Sequence, residues 1–145
     1  MSSNTVDNNN IKIKNAVVAF LEQSDYIRML DIELLELDNE HAKGRMPFAK
    51  KLTNPYGTMH GGSLYSLADT IAGTLANMSG YAVTTIEGNL HFLEPAHKTT
   101  YIYCEAKLKR GGSHIITVDV ELTDDNGKLL DCGCYTFFRT DYEFT

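Results

Sequence analysis

Leu64, Leu67, Ala68, Ile71, Ala72, Leu75 and Ala76 recur at i, i+3, i+4, i+7, i+8, i+11 and i+12. That spacing marks one face of an α-helix, and a face so continuous must be covered along its whole length. It predicts a helix from about Gly62 to Met78, stopping near Ser79-Gly80, where glycine takes the left-handed cap conformation. Such a helix needs a surface to pack on, and the chain after it supplies one. Residues 82–93, 99–110, 114–122 and 128–139 read as strands. Ile102, Cys104, Ala106 and Leu108 alternate with Tyr101, Tyr103, Glu105, Lys107 and Lys109, the pattern of a half-buried antiparallel strand. Glu94-Pro95-Ala96-His97, Gly111-Gly112-Ser113 and Asp124-Asp125-Asn126-Gly127 are the turns between the runs.

Before the long helix, Ile13, Val17, Phe20 and Leu21 predict a short amphipathic helix over 11–23. Residues 29–37 and 41–48 flank the polar turn Asp38-Asn39-Glu40 as a first hairpin, and Pro47 and Pro55 bound a loop. The expected fold class is α+β, with an antiparallel sheet of about six strands around one long central helix, plus the short N-terminal helix. With 145 residues, 43% of them hydrophobic, the chain suits a single domain over 11–145. The polar, Asn-rich residues 1–10 are expected to be a disordered tail.

Several classes of function are disfavoured. The chain has no apolar run long enough for a membrane span, and its start lacks the basic and apolar regions of a signal peptide, so a cytoplasmic location is expected. A net charge of -6 argues against nucleic acid as a partner, and any anionic ligand must find a local basic patch. Cys104, Cys132 and Cys134 are odd in number and lack zinc-knuckle spacing, so they read as reduced strand cysteines with no metal role.

The informative segment is Asn54-Pro-Tyr-Gly-Thr-Met-His-Gly-Gly-Ser-Leu-Tyr-Ser-Leu-Ala-Asp69, which opens the long helix. Backbone N–H groups at a helix N-terminus point at an approaching oxyanion, and Gly61 and Gly62, lacking a Cβ, admit a carbonyl closely. A plain helix start with a tight entry turn explains the same glycines. Asp69 is a carboxylate beside the apolar stripe, either solvated or held for chemistry. It lies seven residues beyond Gly62, roughly 10 Å along the helix. The two cannot meet at one carbonyl within a chain, whereas two antiparallel helices from two subunits would bring them together. Lys107, Lys109 and Arg110, followed by Gly111, are the best local cationic group for a phosphate-bearing ligand, with a charged solvated edge as the alternative.

Asn54, Gly57, His60, Gly61, Gly62 and Asp69, with the later run Glu87-Gly-Asn-Leu-His-Phe-Leu-Glu-Pro-Ala96, resemble the phenylacetate-pathway (PaaI-type) acyl-CoA thioesterases of the hotdog fold over about residues 28–139. The resemblance implies a curved sheet wrapped around the helix, a homodimer joined sheet edge to sheet edge with composite sites, often a homotetramer, and acyl-CoA as substrate. It also implies hydrolysis without a metal or separate cofactor, CoA being part of the substrate. It gives Asp69 the role of general base or nucleophile, with the base favoured. Asn54 would position water or the thioester, His60 would shape the loop, and Thr85 would sit near the catalytic water. The Arg110-Gly111 pair matches an Arg-Gly element that relatives often carry. Tyr26, Phe48, Tyr65 and Phe92 are candidates for shaping an acyl pocket whose preference, aromatic or medium-chain, stays open. A non-catalytic acyl-CoA-binding module is the alternative function, and a hydratase would need a different His and carboxylate arrangement.

Overall fold

The computed structural model describes residues 3–145. Its elements run α1 (Ser3–Glu22), α2 (Asp25–Met29), β1 (Glu33–Leu37), β2 (His41–Pro47), a single 3-10 turn (Lys50–Leu52), α3 (Gly61–Asn77), β3 (Tyr81–Phe92), β4 (Tyr101–Gly111), β5 (Ile115–Thr123) and β6 (Leu129–Glu143). The strands form one antiparallel sheet in the order β1-β2-β4-β5-β6-β3. Helix α3 lies against five of the six strands, β2 to β6, so the sheet curves round it. This is the arrangement that the resemblance implies.

The core forms because both partners keep their period. The whole apolar stripe of α3 is buried. On the sheet, alternation brings Ala42 and Met46, then Ile102, Cys104 and Ala106, then Ile116, Val118, Val120 and Leu122, then Tyr135 and Phe137 to the same inner face. Each fully buried aliphatic or aromatic side chain in such a layer contributes about 1.5–3 kcal/mol of transfer free energy. Gly44 on β2 marks how close α3 comes, since a Cβ there would fall 2.2 Å from Ile71 Cδ1. At the other end Gly80 takes φ 95° just past the helix, as the cap reading expects.

Three expectations change. Helix α1 begins at Ser3, where the sequence predicts a disordered tail over 1–10; residues 1 and 2 lie outside the described residues. A helix nucleated on the apolar positions from Ile13 onward extends toward its N-terminus at low cost per added residue, even through asparagines. Residues 29–32 do not belong to the first strand. Ser24 caps the five-residue α2 by accepting the Ile27 N–H at 3.3 Å, and Asp31 with φ 55° turns the chain before β1. Strand β6 runs on to Glu143, past the expected end at 139, because Tyr81 at the start of β3 pairs with it there. All three cysteines are free thiols, and burial pushes the Cys104 thiol up, out of reach of the thiolate form.

Candidate active site

The loop that delivers the chain to α3 is built around Asn54. Its Oδ1 accepts the N–H groups of Tyr56 (3.0 Å) and Thr58 (3.2 Å), and its Nδ2 donates to Thr58 Oγ1 (2.8 Å). The Met59 N–H donates to the Ala96 carbonyl at 3.0 Å, tying this loop to the one between β3 and β4. His60 is then the N-cap of α3. Its Nδ1 accepts the Gly62 N–H at 2.8 Å, which places the ring proton on Nε2. Of the two glycine donors expected, Gly62 is therefore already engaged. The Gly61 N–H has no hydrogen-bond partner among the described residues and is the one free for a ligand.

Gly61 opens on a cavity of about 280 Å³ at the head of α3, whose walls include Asn54, Met59, Leu64, Phe92, Ala96 and Asp131. The Phe92 ring stands 3.2 Å from where a Gly61 Cβ would lie, so only glycine leaves the backbone open at that point.

Asp69 faces elsewhere. It borders a cavity of about 690 Å³ with Tyr26, Tyr65, Ser66, Gly73, Thr85 and Phe137 among the lining, and shares no wall residue with the first cavity. Thr85 Oγ1 donates to Asp69 Oδ1 at 2.7 Å. The contact depends on a bulge at Ile86 in β3. Thr85 lies opposite Phe137, and Gly88, three residues on, lies opposite Tyr135, so both face α3. Burial raises the Asp69 carboxyl above the usual aspartate value, and the Thr85 hydrogen bond opposes this more weakly. The second carboxylate oxygen makes no hydrogen bond among the described residues. A half-buried carboxylate of this kind, oriented on one oxygen and free on the other, can take a proton from water.

The roof of the Asp69 cavity is α1 and α2 with the cap between them, which contribute Phe20, Leu21, Ser24, Tyr26 and Ile27. Tyr26 Oη and Ser66 Oγ are hydrogen-bonded at 2.7 Å, so α2 is latched to α3 across the cavity. Of the four candidate pocket aromatics, Tyr26 and Tyr65 border the larger cavity and Phe92 the smaller. Phe48 borders neither and packs on the core.

The cationic group stands apart from both. Lys107 is exposed on the outer face with Glu105, Asp119 and Glu121 around it, and Lys109 Nζ lies 3.6 Å from Asp119 Oδ1. Both lysines thus share the outer face at Asp119, as their spacing predicts, and a bulge between Leu108 and Arg110 shifts the register only past Leu108. Arg110 and Gly111 close β4 at the end opposite Tyr101, about 30 Å along the strand from the loops that hold Gly61. Within the chain the structure therefore pairs Asp69 with Thr85 and Asn54 with Gly61, and it does not bring either pair to the cations.

Asp131 is the residue that sequence reasoning missed. It is 0% exposed, it lines the Gly61 cavity, and neither carboxylate oxygen has a hydrogen-bond partner among the described residues. Burial pushes its carboxyl up to about 7. Its parity with Tyr135 and Phe137 along the run 128–139 is the signal that would have put it on the inner face.

Comparison with known proteins adds the following. Residues 56–130 match the family profile described as "Thioesterase superfamily". A Saccharolobus solfataricus protein that carries an esterase name is 32% identical over 117 residues, 79% of this chain and 83% of that one. The acyl-coenzyme A thioesterase PaaI of Escherichia coli is 26% identical over 112 residues, covering 77% and 80% of the two chains. Its solved structure superposes with a TM-score of 0.87 at 23% identity, over 94% of this chain and 99% of that one. A Streptococcus mutans protein solved with acetyl-CoA bound superposes with a TM-score of 0.73 at 20% identity, over 77% and 90%.

Proposed function

The chain belongs to the thioesterase superfamily, and on that premise we propose that it hydrolyses the CoA thioester of an aromatic or medium-chain acid to the free acid and CoA. The observation that carries the reading is the Asp69 carboxylate, held by Thr85 on one oxygen and open on the other, in a cavity large enough for an acyl group. The acyl-CoA thioesterase name of one relative and the acetyl-CoA bound to a protein of the same fold support the substrate class.

In the reaction, Asp69 takes a proton from water as the water oxygen attacks the thioester carbon. The carbonyl oxygen gains negative charge and is met by the Gly61 N–H, reinforced by the positive end of the α3 dipole. The tetrahedral carbon then re-forms its carbonyl, the C–S bond breaks, and CoA leaves as its thiolate, which recovers the proton held by Asp69, directly or through solvent, so that Asp69 is again a carboxylate. His60 keeps Gly62 and the first turn in place, and Asn54 holds the entry loop. Gly62 acts here through close approach, without a free donor. Lys107, Lys109, Arg110 and Gly111 would meet the phosphates of CoA reaching across from a second subunit.

The reading requires two chains. Asp69 and Gly61 are eight residues apart on one helix, about 12 Å along its axis, and open on different cavities. A homodimer with antiparallel α3 helices sets the Asp69 of one subunit against the Gly61 of the other, giving two composite sites. Strand β3 is a twelve-residue edge with exposed Ile86 at its middle, suited to joining a second sheet. A homotetramer of such dimers is the further expectation. The test is thiol release from a panel of aromatic and medium-chain acyl-CoAs by the wild type and Asp69→Asn. Turnover that disappears in the variant supports the reading; acyl-CoA binding with no turnover in either replaces it with a binding module.

A further inference from the structure

Asp131 has no place in the mechanism above, yet it borders the cavity where the Gly61 N–H is free. Strand pairing sets it there. It lies opposite Phe92 on β3 and Leu122 on β5, and cross-strand partners share a face, so its side chain is directed to the α3 side of the sheet. It is fully buried and both oxygens are unpaired among the described residues. A buried polar group without a partner is costly, and one that borders a ligand cavity acquires its partner when the ligand arrives.

We propose that Asp131, in its acid form, is a second hydrogen-bond donor to the thioester oxygen, acting beside the Gly61 N–H. The proposal rests on the thioesterase reading of this cavity. The O–H of the acid donates to the carbonyl oxygen of the bound thioester and stays on Asp131 while the oxyanion forms and collapses, so no proton is gained or lost there. The walls suit this role. Met59, Leu64 and Ala96 are buried apolar neighbours of the cavity, and they favour the neutral acid over the carboxylate. A carboxylate at the same place would repel the developing oxyanion and compete with it for Gly61. Activity should therefore fall as Asp131 ionises.

The neighbours that could shift this behaviour are few. On the β3 side Glu94 borders the cavity and is paired with Lys128 at 3.5 Å. On β6, the Tyr135 hydroxyl donates to the Tyr65 carbonyl at 3.2 Å and is held protonated, chiefly by burial. Strand β5 presents Leu122, and the entry loop presents the neutral Asn54 and Thr58. At the head of α3 the His60 Nδ1 is turned to Gly62, and Asp69 lies two turns further along.

Two measurements test the proposal. The first is the pH profile of kcat/KM for phenylacetyl-CoA and octanoyl-CoA, from about pH 5 to 9, in the wild type, Asp131→Asn and Asp131→Ala. Asparagine matches the size of aspartate and donates a hydrogen bond at every pH. The wild type is expected to lose activity as Asp131 ionises, Asp131→Asn to keep its activity through that range, and Asp131→Ala to be lower by about tenfold or more at the acid side. The second is proton uptake when a CoA ketone, with –S–CH2–CO– in place of the thioester, binds above the Asp131 transition. Uptake by the wild type and none by Asp131→Asn would support the contact even if no thioester is turned over, a result that defeats the hydrolase reading alone. Turnover with the same pH profile in wild type and Asp131→Asn, or ketone binding without a difference in proton uptake, overturns the role given to Asp131 and leaves the hydrolase reading standing. Failure of the ketone to bind, with no turnover, overturns both.

Discussion

Replacing Asp131 by asparagine should stabilise the protein at neutral and alkaline pH and do almost nothing in acid. In the folded chain the carboxyl is pushed up to about 7 by burial, against 3.8 for an ordinary aspartate. The folded state thus holds its proton more tightly than the unfolded state does. Below the unfolded value both states are protonated and the acid costs little. Between the two values the unfolded chain releases its proton while the folded chain keeps it, so stability falls as pH rises; above the folded value the loss is complete. A difference of about 3 pH units sets a ceiling of about 4 kcal/mol, and relaxation around the charge leaves roughly 2–4. Asparagine carries no charge, so Asp131→Asn lacks this term. Urea unfolding of both proteins at matched concentration, from about pH 4 to 8, gives the variant-minus-wild-type difference, in which all other titrations cancel. The difference should begin near zero and grow to a few kcal/mol. Parallel stability curves would refute the reasoning, because they would mean that Asp131 is ionised at little cost and has a partner or water beside it.

On the proposed mechanism Asp69→Asn should lower thioester turnover by on the order of 100-fold with the fold unchanged, since it would remove the base and keep the shape. The wild-type acid limb should lie above the ordinary aspartate value, because Asp69 is raised by burial and must be ionised to act; a variant with normal turnover would remove it from the mechanism. Gly133→Ala would put a Cβ 1.8 Å from the Asn89 carbonyl oxygen, so β3 must part from β6; a loss of about 3 kcal/mol or more is expected in denaturant unfolding, and a neutral result would contradict the pairing. Lys109→Ala and Arg110→Ala should weaken binding of CoA esters, reduce its salt dependence, and spare short thioesters that lack CoA. Equal losses on both substrates would argue against phosphate contacts.

The parts of this architecture that could be read from the sequence are those in which one residue type repeats with one period. The α3 stripe and the alternation of β4 each place many side chains with a single rule, and both elements lie within two residues of their expected ends. Helix α2 has five residues and no period to read; Ser24 and its latch from Tyr26 to Ser66 hold it, and the latch joins residues 40 apart. Thr85 could be matched by position, but its aim at Asp69 comes from the bulge at Ile86, a feature of strand register. Asp131 was hidden because it stands in the run Leu129-Leu-Asp-Cys-Gly-Cys134, where a single acid reads as the polar side of a strand. Its parity with Tyr135 and Phe137 assigns it to the inner face, but how deeply it is buried there depends on its pairing with Leu122 of the neighbouring strand.

If the chain pairs as the proposed homodimer, the separation of Asp69 and Gly61 into two cavities has a genetic meaning as well. Two defective alleles, one lacking the acid and one with the Gly61 backbone blocked by a side chain, would each specify an inactive protein. Expressed together, their subunits would mix, and each mixed pair would hold one intact site and one doubly damaged one. Random assortment would restore about one quarter of normal activity. A cell carrying both mutations on a single allele, beside an empty one, would recover nothing. In such a dimer, the placing of two residues on one helix would specify which pairs of mutant genes can rescue each other.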